Sequence, residues 1–338
     1  MTAEPVSIRE VARRAEVSPA TVSRVLNGSP SVRDAARRRV LDAVADLQYR
    51  PNRLARNLRR QQADMIGVVV SDIENPHFSE IVRVIEDEAY QAGYRVLLCN
   101  TDETAEKQQT YLEMMAAERV LAAIVSPADA QAKGVDSLLS LGIPVVAFDR
   151  MIEDERVDAV VCDNVEGIRR ATEHLLWLGH ERIAFLGGRT DVETGAERLE
   201  GYTAAMRAAG LVPFALDGGF RTEGAEAALE QLLAQSQRPT AIVVANNLMT
   251  LGALRALRRA QVRVPDEIAV VGVDDPPWAD LVDPPLTTVA QPVRRMASTA
   301  MQLVLEHLEN RRVGRRRVVL PLELRIRRSC GSGLERSG

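Results

Sequence analysis

Over the first fifty residues the apolar positions recur at helical spacing. Ile8, Val11, Ala12 and Ala15 share one face of a first helix. Ser7 and Glu10 at its start form a capping box: the Ser7 hydroxyl accepts from the Glu10 amide, and the Glu10 side chain returns to Ser7. The pattern breaks at Glu16-Val17 and restarts at Ser18-Pro19, where Ser18 suits the cap and Pro19 the first helical position. Val22, Val25 and Leu26 are the apolar face of this second helix, which ends at Asn27-Gly28. A third start is predicted at Ser31, with Asp34 three residues on and a buried stripe of Val40, Ala43, Val44 and Leu47. From Met65 the period changes. Short β-branched runs at 65–70, 95–99, 122–125, 144–148 and 157–161 predict buried strands, and a second series follows at 182–186, 241–245 and 268–273. Helix-period segments, such as 78–92 and 167–178, lie between them. The expected fold class is α/β: a small all-α head, then two lobes built on parallel sheets flanked by helices.

Two short helices joined by a tight turn and followed by a third make a helix-turn-helix. In that unit the second helix enters the major groove with its N-terminal residues toward the bases. The outward positions here are Pro19, Ala20, Thr21, Ser23 and Arg24. Thr21 and Ser23 can bond phosphates or bases, and Arg24 can fork onto a guanine. Charge strengthens this reading. Residues 1–63 hold 13 Arg against 6 Asp and Glu, a balance of +7, while the remainder balances at −11. A basic head on an acidic body fits a polyanion-binding module on a globular domain. A helical hairpin that only packs on the body is the rival, and the polar, basic outer face disfavours it.

The run from Val11 to Asn27, VARRAEVSPATVSRVLN, resembles the signature of the LacI/GalR repressor family. It departs from the family at Glu16, where glycine is usual and a left-handed turn residue is wanted. The segment Tyr49–Arg60 resembles the family's hinge helix, with Pro51 stopping the third helix and Asn52 able to cap a short new one. About two turns are too short to hold alone in water. The resemblance implies that paired hinges enter the minor groove with Leu58 as a wedge between base steps. It places Ser18, Asn27, Asn52, Arg53, Ala55, Arg56 and Arg59 with the outward residues of the second helix among the DNA contacts. The rival is a basic tether with Leu54 and Leu58 packed on the body.

In open parallel sheets ligands bind beyond the carboxyl ends of strands. Those ends carry Asp72, Asn75, Asp149-Arg150, Asn246-Asn247 and Asp274-Asp275, a set whose carboxylates, amides and Arg suit a polyol, especially a sugar. For Asp72 and Asn75 a helix-capping role is a serious rival. Further landmarks at 179–184, 198–202, 284–289 and 325–330 extend the family resemblance over nearly the whole chain. The family's body is similar to periplasmic sugar-binding proteins, with two lobes joined by three crossovers. The resemblance implies effector contacts at Phe78, Asp149, Thr194, Arg198, Phe220, Asn246, Asn247 and Asp274, although Asn247 stands where an acidic residue is usual. It also implies a division into a head at 1–49, a hinge at 50–62, an effector and dimerisation domain at 63–330 and a tail at 331–338. Lobe one takes about 63–161 and 291–319, lobe two about 162–290 and 320–330.

Composition adds exclusions. Hydrophobic residues make up 46% and charged residues 27%, an ordinary globular balance. The three cysteines have no metal-ligand spacing, which argues for a reducing compartment. The N-terminus lacks the apolar core of a signal peptide and no stretch reaches membrane-span length, so a cytoplasmic protein is expected. There is no G-x-S-x-G, P-loop or strand-following G-x-G-x-x-G, which argues against an enzyme and against a cofactor. Of the histidines, His77 can face the cleft, while His174, His180 and His307 read as structural. A transport binding protein would share the body but lack the basic head. The reading is therefore a DNA-binding repressor controlled by a sugar or related metabolite. A homodimer on a near-palindromic operator is expected. The short tail has no heptads and predicts no coiled-coil tetramer. The effector's identity, and whether it releases or strengthens DNA binding, stay open.

Overall fold

A computed structural model describes residues 6–26, 32–47, 49, 64–310 and 314–332. The chain divides into two compact units, Met1–Ala63 and Asp64–Gly338.

The first unit holds α1 (Ile8–Arg14), α2 (Pro19–Leu26) and α3 (Asp34–Asp46). Its core is small: Val11, Ala12, Ala15, Val22, Val25, Val40 and Ala43 are buried, with Ile8, Val17, Leu26, Val44 and Leu47 packed around them. The capping box at α1 is formed, with Ser7 Oγ accepting from the Glu10 amide and the Glu10 carboxylate accepting from the Ser7 amide. At α2 the Ser18 hydroxyl accepts from the Thr21 amide at 3.2 Å. The third helix differs from expectation. It starts at Asp34 with Arg33 at the cap position and no side-chain cap. Asp34 sits in the first turn instead, where a carboxylate meets the positive end of the helix dipole. Ser31 lies outside the described residues.

The turn after α1 shows why Glu16 is an unusual choice. Its amide bonds to Arg13 O and the Val17 amide to Ala12 O at 3.0 Å, the paired bonds of a Schellman ending. That ending puts Glu16 in the left-handed region at φ +52°. A side chain there costs roughly 1–2 kcal/mol, which glycine would avoid.

In the second unit, among the described residues, twelve strands make two six-stranded sheets. The first has the order β11-β5-β4-β3-β1-β2, from β1 (Met65–Val70), β2 (Arg95–Asn100), β3 (Ala122–Val125), β4 (Val145–Phe148), β5 (Asp158–Cys162) and β11 (Arg317–Leu320). The second has the order β12-β10-β9-β8-β6-β7, from β6 (Ile183–Gly187), β7 (Phe214–Asp217), β8 (Ala241–Val244), β9 (Ala269–Val273), β10 (Thr287–Ala290) and β12 (Glu323–Arg325). Every pairing is parallel except β10 with β12. The helices between are α4 (Pro76–Gln91), α5 (Ala105–Ala117), α6 (Val135–Leu139), α7 (Asn164–Trp177), α8 (Glu193–Ala208), α9 (Thr222–Leu233), α10 (Asn247–Arg259) and α11 (Val293–Leu308).

Strands covered on both faces read as unbroken apolar runs, and β3, β4, β5, β6, β8 and β9 are buried along their whole length. The strands that the apolar pattern did not announce are β7, β10, β11 and β12. β7 and β12 are edges with mostly exposed residues, and β11 alternates. The exposed edge β7 is pinned by the buried Tyr202, whose hydroxyl donates to Ile183 O at 2.7 Å and accepts from the Phe214 amide at 2.9 Å. Two helices start earlier than predicted because their caps lie upstream: Asn75 caps α4 ahead of Pro76, and Asp163 caps α7. The chain passes between the sheets three times, from β5 through α7 to β6, from β10 through α11 to β11, and from β11 to β12. The α11 helix packs against β3, β4 and β5 of the first sheet.

The strain at Glu16 gives a test. Glu16→Gly is expected to stabilise the head by up to about 1 kcal/mol, the relief exceeding the extra backbone entropy that glycine loses. The β-branched Glu16→Val should destabilise it. Hydrogen exchange at the Val11 and Val22 amides of the full chain reads both, slower in the first variant and faster in the second.

Candidate functional site

The first unit presents the start of α2 to solvent. Ser18, Pro19, Ala20 and Arg24 are exposed, and Thr21 and Ser23 are half-buried beside them. The face is thus polar with one guanidinium, as base reading requires. Ser18 is already engaged: its hydroxyl caps the helix and lies 2.9 Å from the Thr21 hydroxyl. Asn27, Asn52, Arg53, Ala55, Arg56, Leu58 and Arg59 lie outside the described residues.

In the second unit a cavity forms where the carboxyl ends of both sheets meet. In the first sheet β1 lies between β2 and β3, and in the second β6 lies between β7 and β8, so each sheet has its switch point there. From the first sheet come Asp72 after β1, Glu103 after β2, Asp149 and Arg150 after β4, and Asn75, His77 and Phe78 at the start of α4. From the second come Thr194 and Arg198 on α8, Phe220 and Arg221 after β7, Asn246 after β8, Asp274 after β9 and Gln291 after β10. Of the expected effector contacts, Phe78, Asp149, Thr194, Arg198, Phe220, Asn246 and Asp274 line this cavity. The open volume is only about 30 Å³, far below the several hundred that enclose a small molecule, so the two lobes as they stand are closed on one another here.

Asn247 lies elsewhere. It is the first residue of α10, its amide donates to Asp274 Oδ2 at 3.3 Å, and its side chain lines a neighbouring cavity of about 460 Å³. A helix turns its first residue away from the direction of its cap, and the cap here, Asn246, is the residue that lines the cleft. Asp275, read with Asp274 as a strand-end pair, is also drawn away. Arg325, Arg327 and the Thr288 hydroxyl hold its carboxylate, tying β9 to the C-terminal segment. Asp72 and Asn75 serve both readings. Asn75 Oδ1 caps α4 through the His77 amide at 2.9 Å, Asp72 Oδ1 accepts from the Glu74 amide at 3.0 Å, and both line the cavity.

The charges pair off in a definite way. Arg150 forks onto Glu103 at 2.6 and 2.7 Å. Arg221 meets Asp72 at 2.5 Å across the two lobes. Arg198 is oriented by Asn164 Oδ1 at 2.8 Å and Ala245 O at 2.7 Å. His77 Nε2 lies 3.7 Å from Asp149 Oδ1, and its Nδ1 lies 3.8 Å from Asp274 Oδ1. Both separations exceed a hydrogen bond, so the ring acts on the carboxylates through charge. Burial pulls the His77 pKa down, but Asp149 and then Asp274 outweigh it and hold the imidazole above its ordinary value. Burial pushes Asp149 up, yet His77, Arg150 and Arg198 hold its carboxyl below the ordinary range. At Asp72 burial prevails over Arg221, and its pKa is raised.

Apolar faces complete the cavity. The Phe78 ring meets His77 edge-on at 5.1 Å and Phe148 at 6.1 Å. Phe220 lies over Gly188, where a Cβ would come within 2.3 Å of the ring. Asp149, Phe220 and Asp274 all adopt left-handed backbone, at φ +66°, +60° and +71°. Strain of this kind, at non-glycine residues gathered around one cavity, marks a functional site.

Sequence reasoning left Glu103, Arg150, Arg221 and Gln291 out of the contacts and named His77 only as able to face the cleft. Arg150 was named by the strand-end rule without being carried into the effector contacts, and Gln291 follows β10 directly and could have been found by the same rule. Glu103 and Arg221 carry no local signal, because their partners are remote in sequence. His180 and His307 bond to Thr240 and Asp158. All three cysteines are free and buried. Among the described residues no helix is long and apolar enough to cross a membrane, and no cluster of side chains suits a metal ion.

Comparison with known proteins follows the same division. Residues 7–52 match the family described as bacterial regulatory proteins, lacI family, and residues 172–330 match a periplasmic binding protein-like domain. The HTH-type transcriptional repressor PurR of Photobacterium profundum is 37% identical over 327 residues, covering 96% of this chain and 98% of its own. The ribose operon repressor of Halalkalibacterium halodurans is 34% identical over 327 residues, covering 97% and 98%. Among solved structures, the lac repressor dimer bound to operator and the anti-inducer ONPF superposes with a TM-score of 0.85 at 31% identity, covering 97% of this chain and 99% of that one.

The buried pair beside the cavity is expected to be costly to break. Arg150→Met leaves Glu103 and Asp149 without their guanidinium, and the second unit should lose about 3–5 kcal/mol in urea unfolding. The double variant Arg150→Met, Glu103→Leu should recover much of that loss.

Proposed function

Starting from the fact that this chain belongs to the lacI family of bacterial regulatory proteins, we propose that it represses transcription by holding a near-palindromic DNA operator, under the control of a small uncharged ligand bound in the cleft. The observation that carries the DNA half is the outward face of α2, where Arg24 and the polar residues before it stand clear of the core. Arg24 reads a guanine in the major groove, with Ser18, Pro19, Ala20, Thr21 and Ser23 against bases and backbone. Sequence alone supports the hinge, residues 50–62, in which Asn52, Arg53, Ala55, Arg56 and Arg59 approach the backbone and Leu58 wedges into the minor groove.

The charge balance of the cleft supports the ligand class. Arg150 with Glu103 and Arg221 with Asp72 neutralise one another, which leaves Asp149 and Asp274 against Arg198 and His77. Hydroxyls can both donate to these carboxylates and accept from Arg198. Phe78 and Phe220 offer apolar faces to a ring. A sugar or related metabolite fits that lining, with Thr194 and Asn246 as further polar contacts, and the similar ribose operon repressor agrees. The protein is a cytoplasmic regulator rather than an enzyme. Residues 63–330 form the effector and dimerisation domain, with lobe one at about 63–161 and 291–319 and lobe two at about 162–290 and 320–330.

A homodimer follows from the surface of the second lobe. Leu251, Leu254, Trp278, Val282 and Leu286 line an apolar groove of about 960 Å³, and Leu281 beside it is 83% exposed. This groove is the seat we assign to a second copy, which provides the two-fold symmetry that a palindrome requires.

Two tests separate the halves of the proposal. Arg24→Ala should cost about 1–3 kcal/mol on the cognate operator and relax preference at one base pair. Equal losses on operator and on random DNA would show that Arg24 touches only phosphate. For the cleft, uncharged sugars and nucleosides are screened by thermal shift on the full chain. A ligand at 100 times its Kd adds about 2.7 kcal/mol, roughly 5–8 °C for a domain of this size. Arg198→Lys keeps the charge but loses the planar fork, so it should still bind operator and no longer respond to that ligand.

A further inference from the structure

His77 is placed where a single proton changes the balance between the two lobes. Its two carboxylate neighbours belong to different sheets: Asp149 follows β4 of the first, and Asp274 follows β9 of the second. The ring itself rides on α4, which packs against β1, β2 and α11. Its side chain is 3% exposed, and Nε2 has no hydrogen-bond partner. Asp149 stands beside the ring within the first lobe, so closing the cleft brings the carboxylate of Asp274 from the second lobe toward a buried ring that already faces one.

The other groups around the ring are guanidiniums, carboxylates and an amide. Arg198 on α8 is a cation, and Arg150 stands beyond Asp149. Gln291 after β10 is neutral and donates to Asp274 Oδ1 at 2.7 Å. On the far side, Glu80 of α4 lies near Arg294, and Asp275 is held by Arg325 and Arg327. Other links across the cleft among the described residues are Arg221 with Asp72, Arg189 donating to Glu103 O at 3.3 Å, and the Met151 amide with Glu193, and none of them involves a histidine. Of the groups at this seam, imidazole has the ordinary value nearest neutrality. Protonated, it is attracted to both carboxylates. Neutral, it compensates neither, and the closed lobes hold Asp149 and Asp274 close together with little water to screen them.

We propose that His77 couples closure of the two lobes to the uptake of one proton, so that the cleft reads acidity as well as its ligand. This rests on the cleft being the regulated site and is independent of which ligand it takes. The sign follows from the direction of the shift. Asp149 and Asp274 together hold the imidazole above its ordinary value, and Asp274 is the carboxylate that closure adds, so the protonated ring supports closure and that support is lost as pH rises through the raised value.

The test measures lobe separation without ligand. Spin labels are placed on Glu106→Cys at the start of α5 and Glu223→Cys at the start of α9, both exposed, while the native cysteines are buried. The labelled full-length chain is diluted into excess unlabelled chain, and the distance is followed from about pH 5.5 to about pH 9, a range bracketing the ordinary imidazole value. The expected result is a short distance at low pH giving way to a longer one as pH rises. In His77→Gln the distance should stop responding. In Asp274→Asn, with one carboxylate gone, the closed distance should persist at high pH. A flat wild-type profile, or a His77→Gln or Asp274→Asn profile that shifts as the wild type does, overturns the coupling. None of these outcomes touches the ligand reading, which the thermal-shift screen decides.

Discussion

Parallel pairing makes the strands of a sheet run the same way, so their carboxyl ends meet the same edge. Two such sheets joined by three passages face each other along those edges, and the polar residues that follow each strand collect in one place. The strands themselves need nearly unbroken apolar sequence, because helices cover both faces. The cleft is therefore where this unit gathers most of its buried charge: Asp72, Asp149, Arg150, Arg198 and Asp274 are each at most 6% exposed, with Asp158 buried apart from them beside His307 and Arg316.

Burying so many charges is unfavourable unless they are matched, and a matched buried pair seldom adds stability over an apolar one. The arrangement is better understood as specification. Arg150 is committed to Glu103, Arg221 to Asp72, and Arg198 is aimed by Asn164 and Ala245 before any ligand arrives. Asp149 and Asp274 are held in left-handed backbone, which the surrounding helices and strands sustain. The cleft is thus rigid in its parts, while contacts such as Arg221 with Asp72 bridge its two sides and can open and close as units. That combination suits a switch between two states, since a ligand acts only through its different affinity for each.

The head is stabilised differently. Its core is a handful of valines and alanines, so local chemistry carries a large share of its definition: the Ser7–Glu10 box, the Ser18 cap with Pro19, and the Schellman ending at Glu16. The left-handed Glu16 runs against its own side chain, and the hydrogen bonds of the turn hold it there. Small cores leave little stability to offset such strain.

By itself, the sequence determined the architecture and the edges of the site. The shift from a 3.6-residue period to β-branched runs at Met65 separated head from body, and the position after each strand named Asp149, Asn246 and Asp274. These are local properties, set by backbone periodicity and by what a helix start or a strand end requires. Tertiary structure alone decided which of the neighbours turn inward. Asn246 and Asn247 are adjacent, yet one lines the cleft and the other the cavity behind it, because the helix start points consecutive side chains apart. Asp274 faces His77 while Asp275 is taken by Arg325 and Arg327, 50 and 52 residues downstream. The exposed edge strands β7 and β12 were likewise invisible until their partners were in place, because pairing rather than apolar content makes them strands. Which charges neutralise one another is a matter of distance in space, and a chain encodes that distance only by folding.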